Sequence, residues 1–228
     1  MNVDVIILTK SDTEKKIRMT RRTILTLKES ENEYNFKIHL VESGEQRDKH
    51  YKNLLENYIY PNENFNYNRF LNHAFPKLTC DWVIISNNDV GYEKGWFSEI
   101  MKVHEMRPDI HSFSPKDPAL YMKYFDGHFL GSPDVYFESY LVSEAVMGWC
   151  LVIKRESLQK LIPFDELFDM YYQDNDYTEN LKKHGIKHAL VRHSIATHYE
   201  TINIQRLDDA KMKKMKVDEI KFRKKWGL

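Results

Sequence analysis

The chain has 228 residues, 42% of them apolar and 30% charged, enough to bury one sizeable core and too ordinary in composition for a disordered or collagen-like protein. Its 34 basic and 34 acidic residues cancel, but unevenly: the stretch from Arg206 to Leu228 holds nine Lys/Arg against four Asp/Glu, leaving 25 basic and 30 acidic residues before it. Such a tail reads either as a solvated amphipathic helix or as a contact for a polyanion.

Cys80 and Cys150 form no CxxC pair and sit in apolar surroundings, so buried free thiols in a reducing compartment are expected. The chain starts directly with a strand-like run and contains no apolar run long enough to span a bilayer. A cytoplasmic protein with no membrane span is the expectation, in the host cytoplasm if phage-encoded.

Val3–Leu8 is a continuous β-branched run and predicts a buried parallel strand. Residues 13–30 have helical spacing, with Ile17, Ile24 and Leu27 on one side. Phe36–Val41 predicts a second strand ending at Glu42-Ser43-Gly44. Lys49–Tyr58 predicts a short helix, Tyr60–Asn64 a turn, and Phe70–Phe75 more helix, stopped near Pro76. Asp81–Ser86 is a third apolar strand, followed at once by Asn87-Asn88-Asp89. This β-α-β-α-β order predicts a doubly wound α/β fold with ligands at the carboxyl ends of the strands.

Trp96–Met106 predicts a further helix. The aromatic, Pro-containing stretch 108–140 predicts an irregular wall or lid. Glu144–Ile153 carries a Met-Gly-Trp-Cys turn into a strand, and Ser157–Leu161 is a short helix ended by Pro163. Asp174–His184 is a helix closed by Gly185, His188–Val191 and Ile195–Thr197 are short strands, and the basic tail is helical.

Four groups of residues can carry chemistry, and each also has a plain structural reading. Asn87-Asn88-Asp89 offers carboxylate and amide oxygens for a hard divalent cation, or forms a capped polar turn. Asp174 and Asp176 open a helix behind Tyr171-Tyr172. A carboxylate in an aromatic-walled pocket has raised proton affinity and suits a general base, but an acidic first turn is also an ordinary helix start. His193 and His198 lie near a strand end, where His198 can reach a cation or serve as a structural residue. Glu42 and Ser43 can read a base or ribose, or form the turn before Gly44.

Taken together, the opening strand Val3–Thr9, the segment Phe65–Asn72 followed by Asp81–Asp89, and the run Gly148–Arg155, Phe164–Phe168, Tyr172–Tyr177, Lys183-His184-Gly185 and His198 resemble the inverting GT-A fold glycosyltransferases of the large family-two type, over about residues 1–200. The resemblance implies a Rossmann-like α/β domain over 1–205 with a mostly parallel central sheet, followed by a basic helix or tail over 206–228. It implies transfer of a sugar from a nucleotide-diphosphate sugar, UDP-linked in the first instance, to a hydroxyl acceptor. Asp174 matches the family's catalytic base, with Asp176 supporting it or capping the helix. Asp89 matches the last acid of the metal motif and is expected to bind Mn²⁺ or Mg²⁺ with His198, since Asn87 replaces the first acid. Thr9, Lys10, Glu42, Asn68, Asn72, Asn87, Asn88, Gly148 and Trp149 are the expected donor contacts, with Gly148-Trp149 also facing the acceptor.

A sugar nucleotidyltransferase would want a Gly-rich loop after the first strand, and Thr9–Thr13 contains no glycine. A nicotinamide dehydrogenase is disfavoured because no GxGxxG follows a strand. A noncatalytic carbohydrate- or nucleotide-sugar-binding protein is the alternative. For the acceptor, the sequence suggests either a saccharide or a hydroxymethylated base in phage DNA. In the second case the basic tail would track phosphate and the aromatics at 121–140 would stack on an extruded base.

Overall fold

The opening apolar run forms β1 (Asn2–Thr9), in a computed structural model that describes residues 1–45, 48–118, 135–168, 170–199 and 209–228. Its pleat sends Val3, Val5 and Ile7 into one apolar cluster and Ile6 and Leu8 into another, so both faces are covered. Asp4 is the buried exception. Its carboxylate accepts hydrogen bonds from the backbone N–H of Thr79 (2.6 Å) and Cys80 (2.7 Å) and contacts His39 Nε2 at 2.9 Å. Burial alone would raise its pKa, but these partners bring it down to about 2.

α1 (Glu14–Glu29) starts at Thr13, whose hydroxyl accepts the Lys16 N–H, and buries Ile17, Thr20, Thr23, Ile24 and Leu27. β2 (Asn35–Glu42) pairs parallel with β1 over eight residues. The predicted helix over Lys49–Tyr58 is not there. A single 3₁₀ turn at Asp48–Tyr51 gives way to the edge strand β3 (Asn57–Ile59), parallel to β2. Asn53, at φ 67°, is in the left-handed region that stops a helix after one turn.

α2 (Tyr67–Ala74) is capped by Asn66, and β4 (Trp82–Asn87) pairs parallel with the other side of β1. A tight turn at Asn88-Asp89 leads into β5 (Val90–Tyr92), and α3 (Trp96–Met106) follows. The stretch expected to be irregular contains β6 (Ile110–Lys116) and β7 (Tyr136–Glu138); residues 119–134 between them, and with them most of the proposed stacking aromatics, lie outside the described residues. Pro115 is tolerated in β6 because the β6–β9 register shifts beside it. β8 (Cys150–Lys154) runs into α4 (Arg155–Leu158), then come α5 (Gln173–Lys183), β9 (Lys187–His198) and α6 (Asp209–Trp226). The two short strands expected at 188–191 and 195–197 are one strand with an irregularity.

Among the described residues the strands form one curled α/β sheet in the order β3-β2-β1-β4-β8-β6-β9-β5, with β7 also on β9. The longest ladders, β1–β2 and β6–β9, are parallel; β8, β7 and β5 run antiparallel to their neighbours. α1 and α3 cover one face and α2 and α5 the other. Cys80 and Cys150 are buried free thiols. Among the described residues no helix is long and apolar enough to cross a membrane.

Candidate functional site

The strand order reverses at β1, which has β2 on one side and β4 on the other. Chain segments leaving the carboxyl ends of β1 and β4 therefore diverge and leave a crevice, where open α/β sheets bind ligands. A cleft of about 1450 Å³ opens there. Thr9, Lys10, Asn68, Asn87, Asn88, Gly148, Trp149, Asp174, Asp176 and His198 all line it, whereas Glu42, Asn72 and Asp89 do not.

Asn87 and Asp89 flank the turn out of β4, and this turn is held from beneath by threonines one helical turn apart. Thr23 donates to the Asn88 carbonyl (2.9 Å) and accepts the Val90 N–H (3.1 Å). The Asn88 amide donates to Thr20 (3.0 Å) and Thr9 (3.2 Å), whose hydroxyls also meet at 2.8 Å. Thr9 and Asn88 thus support the crevice floor as well as line it.

The antiparallel pairing of β5 with the end of β9 puts Val90 opposite His198. His198 Nε2 is consequently 3.1 Å from Asp89 Oδ1 and 3.4 Å from the Asn87 amide, although 109 residues separate His198 from Asp89 in the chain. Trp149 stacks on the imidazole, ring centroids 5.4 Å apart and planes 9° from parallel. Asp117, which sequence reasoning missed, is fully buried and accepts the His198 backbone N–H. Asp89 is buried behind His198 and Asn87. Among the described residues no three His, Cys, Asp or Glu side chains converge as a complete metal cage. What meets there is one carboxylate, one imidazole and one amide, a mixed set of oxygen and nitrogen donors.

Asp174 lies in the first turn of α5, whose preceding residue Tyr172 has φ 66°. Its Oδ1 accepts the Asn175 N–H at 2.9 Å. Burial in the cleft pushes its proton affinity up, against two backbone hydrogen bonds that lower it. Gly148 supplies the space: a Cβ on it would be 3.0 Å from Asp174 Cβ and 3.1 Å from Oδ2. Tyr67 and Tyr172 both feel the Asp174 charge, and burial of the Tyr67 phenol keeps it neutral.

Asp176, expected to assist catalysis, is committed elsewhere. It is 3% exposed, and its carboxylate accepts Lys225 Nζ (2.7 Å), Trp226 Nε1 (2.8 Å) and Asn180 Nδ2 (3.2 Å). Lys225 also pairs with Asp165 at 2.8 Å; burial lowers its pKa, but the two ion pairs hold it above its usual value. Asp218 accepts the Met170 and Tyr171 N–H groups, Lys221 donates to the Leu167 carbonyl, and Phe222 packs against Phe168 and Tyr172. One face of α6 is therefore a clamp on the segment that delivers Asp174. Its signal was present in the i, i+4, i+7, i+8 spacing of Asp218, Phe222, Lys225 and Trp226.

The α2 asparagines also differ from expectation. Asn72 does not face the cleft; its amide pairs with the Phe164 carbonyl (2.9 Å) and accepts the Phe164 N–H (2.8 Å). Asn68 lines the cleft but donates to the Asp165 carbonyl (2.6 Å), and Asn66 donates to the Glu166 and Phe168 carbonyls. A loop with no strand partner needs side chains for its backbone groups, and these three amides supply them.

Lys10 stands exposed at the mouth, 3.5 Å from Asp12. Glu42 is fully buried at the end of β2 beside a smaller pocket of about 480 Å³ that shares Ser43 with the cleft. Its Oε1 accepts the N–H groups of Ser11 (2.9 Å) and Gly44 (2.7 Å), while Oε2 is buried without a partner. Trp149 Nε1 and Gln173 Nε2 are likewise buried without partners, on residues that line the cleft.

No protein-family model matches the chain, and no curated protein matches it significantly.

Proposed function

We propose that the chain is a metal-assisted inverting glycosyltransferase of GT-A type, moving a sugar from a nucleoside-diphosphate donor to a hydroxyl acceptor. The observation that carries this reading is one cleft, at the reversal of strand order, lined by Asp174 on one side and by Asn87 and His198 on the other, with Asp89 buried behind His198. Raised proton affinity suits Asp174 to a general base.

Orphaned polar atoms support the donor assignment. Glu42 Oε2 is buried and can accept a base N–H, such as the N3–H of uracil. Trp149 Nε1–H and the Gln173 amide can donate to phosphate or sugar oxygens, which would remove the penalty of leaving them unpaired. Asn87, Asp89 and His198 would hold Mn²⁺ or Mg²⁺, which when bound supplies positive charge against the diphosphate. Asp174 takes the acceptor hydroxyl proton as the oxygen attacks the anomeric carbon. The bond from that carbon to the diphosphate oxygen breaks, its electron pair leaves with the nucleotide, and configuration inverts in one displacement.

The test is donor consumption and product mass across a nucleotide-sugar panel, with and without Mn²⁺. Asp174→Asn is expected to lose about 10³-fold in turnover with folding intact, within the usual contribution of a positioned base. Near-normal turnover in that variant would remove Asp174 from the chemistry. Excess EDTA is expected to abolish transfer and Mn²⁺ to restore it; full activity in EDTA would refute the metal role.

A further inference from the structure

A cleft of about 1450 Å³ exceeds the roughly 300–1,000 Å³ usual for one small ligand, so room remains beyond the donor. The wall of that remaining space has two properties. Its polar side chains are already committed within the protein: Asn68 to Asp165, Asp165 to Lys225, Asp176 to Lys225 and Trp226, Asn180 to Asp176, and Tyr177 to Ser112. Most of the rest of its lining is apolar or aromatic, with Leu71, Val146, Leu151, Leu161 and Phe164 as floor and sides and Ser143, Glu144 and Gln173 as the polar exceptions.

Rings crowd the base itself. Tyr67, Tyr171 and Tyr172 line the cleft together with Asp174. At the mouth, Phe65 and Met170 line the cleft while 39% and 50% exposed, so the apolar wall continues to the surface. A saccharide presents several hydroxyls, each needing a partner when it leaves water. Beyond Ser143, Glu144 and Gln173, this wall has few to give. A planar ring needs only stacking and edge contacts, which Tyr67, Phe164 and Tyr172 can make.

We infer that the acceptor carries its hydroxyl on an aromatic ring system, which enters between Tyr67, Phe164 and Tyr172 with the hydroxyl directed at Asp174. The inference rests on the transferase reading above and specifies its second substrate. In the step itself, the ring alcohol loses its proton to Asp174 and its oxygen becomes bonded to the anomeric carbon.

Calorimetry on the full chain, with UDP present, tests this using 2-naphthalenemethanol, 1-octanol and methyl glucoside as probes. The ring alcohol is expected to bind at least tenfold more tightly than the other two, and the surface variant Phe65→Ala/Met170→Ala to weaken it at least threefold. Equal or tighter binding of the glucoside or octanol, no measurable binding of the ring alcohol, or an unchanged Kd in the variant would overturn the proposal. Transfer assays with the same probes separate the two claims. Selective ring binding without sugar transfer from any donor defeats the transferase reading and leaves the ring subsite. Transfer to sugars but not to ring alcohols defeats the ring subsite and leaves the transferase.

Discussion

Replacing Lys225 with Met removes the ammonium that Asp176 accepts at 2.7 Å and Asp165 at 2.8 Å, while keeping most of the side chain's length. Breaking a buried pair from one side costs about 3–5 kcal/mol, because the surviving charge is left uncompensated. Two features reduce that figure here. The Lys225 side chain keeps 23% of its exposure, and Asp176 retains its hydrogen bonds from Trp226 and Asn180. A loss of about 2 kcal/mol follows, equivalent to a urea midpoint lower by about 1 M at a slope of about 2 kcal/mol/M. A second effect reaches the site. Asp176 is two residues from Asp174, and its unscreened charge would further favour protonation of the base. The acid limb of kcat/KM in Lys225→Met therefore moves to higher pH, while Lys225→Arg restores both midpoint and profile. Asp176→Asn added to Lys225→Met should recover part of both losses, as coupled neighbours do. A midpoint within 0.2 M of wild type, or a variant that loses stability with its acid limb unmoved, would refute the clamp as a tuning element.

Asp174→Asn should melt at a higher temperature than wild type at pH 7. The folded protein holds Asp174 above its unfolded pKa, so the ionised form is disfavoured on folding, and the gain should vanish below about pH 3.8, where both states are protonated. Gly148→Ala should cut turnover about tenfold with a stability cost of about 1 kcal/mol, since the new Cβ meets Asp174 at 3.0 Å and moves the base; unchanged kinetics would mean that the carboxyl position is not critical. His188 is fully buried between Ser112 and the Ala145 carbonyl, and burial brings its pKa down to about 4 from 6.5. Its unfolded form takes up a proton first as pH falls from 6.5 towards 4, so about 2 kcal/mol of stability should be lost by pH 5. A His188→Gln variant with the same acid sensitivity as wild type would exclude this cause.

Local pattern made β1, β2, β4, α1 and α3 readable, because each depends on nearest neighbours and on one repeating period. It also marked Asn87–Asp89 and Asp174 as polar residues at element ends. Spacing failed over Lys49–Tyr58, where one residue at positive φ outweighed the helical period, and at β7 and β5, three-residue strands defined by their partners alone. The α2 asparagines look like ligand contacts in sequence because nothing local reveals that a loop some 95 residues later needs amide partners.

By itself, then, the amino-acid order determined the α/β alternation, the two-faced burial of β1 and β4, and the polar residues at their carboxyl ends. Those features follow from backbone geometry and from the cost of exposing β-branched runs to water. Tertiary structure alone decided that His198 stands beside Asp89, that Gly148 makes room for Asp174, and that the Asp176 carboxylate in the cleft wall is held by Lys225 and Trp226 of α6. Each of these is a contact between distant segments, set by strand register and by which buried charge finds a partner, and no local period encodes either.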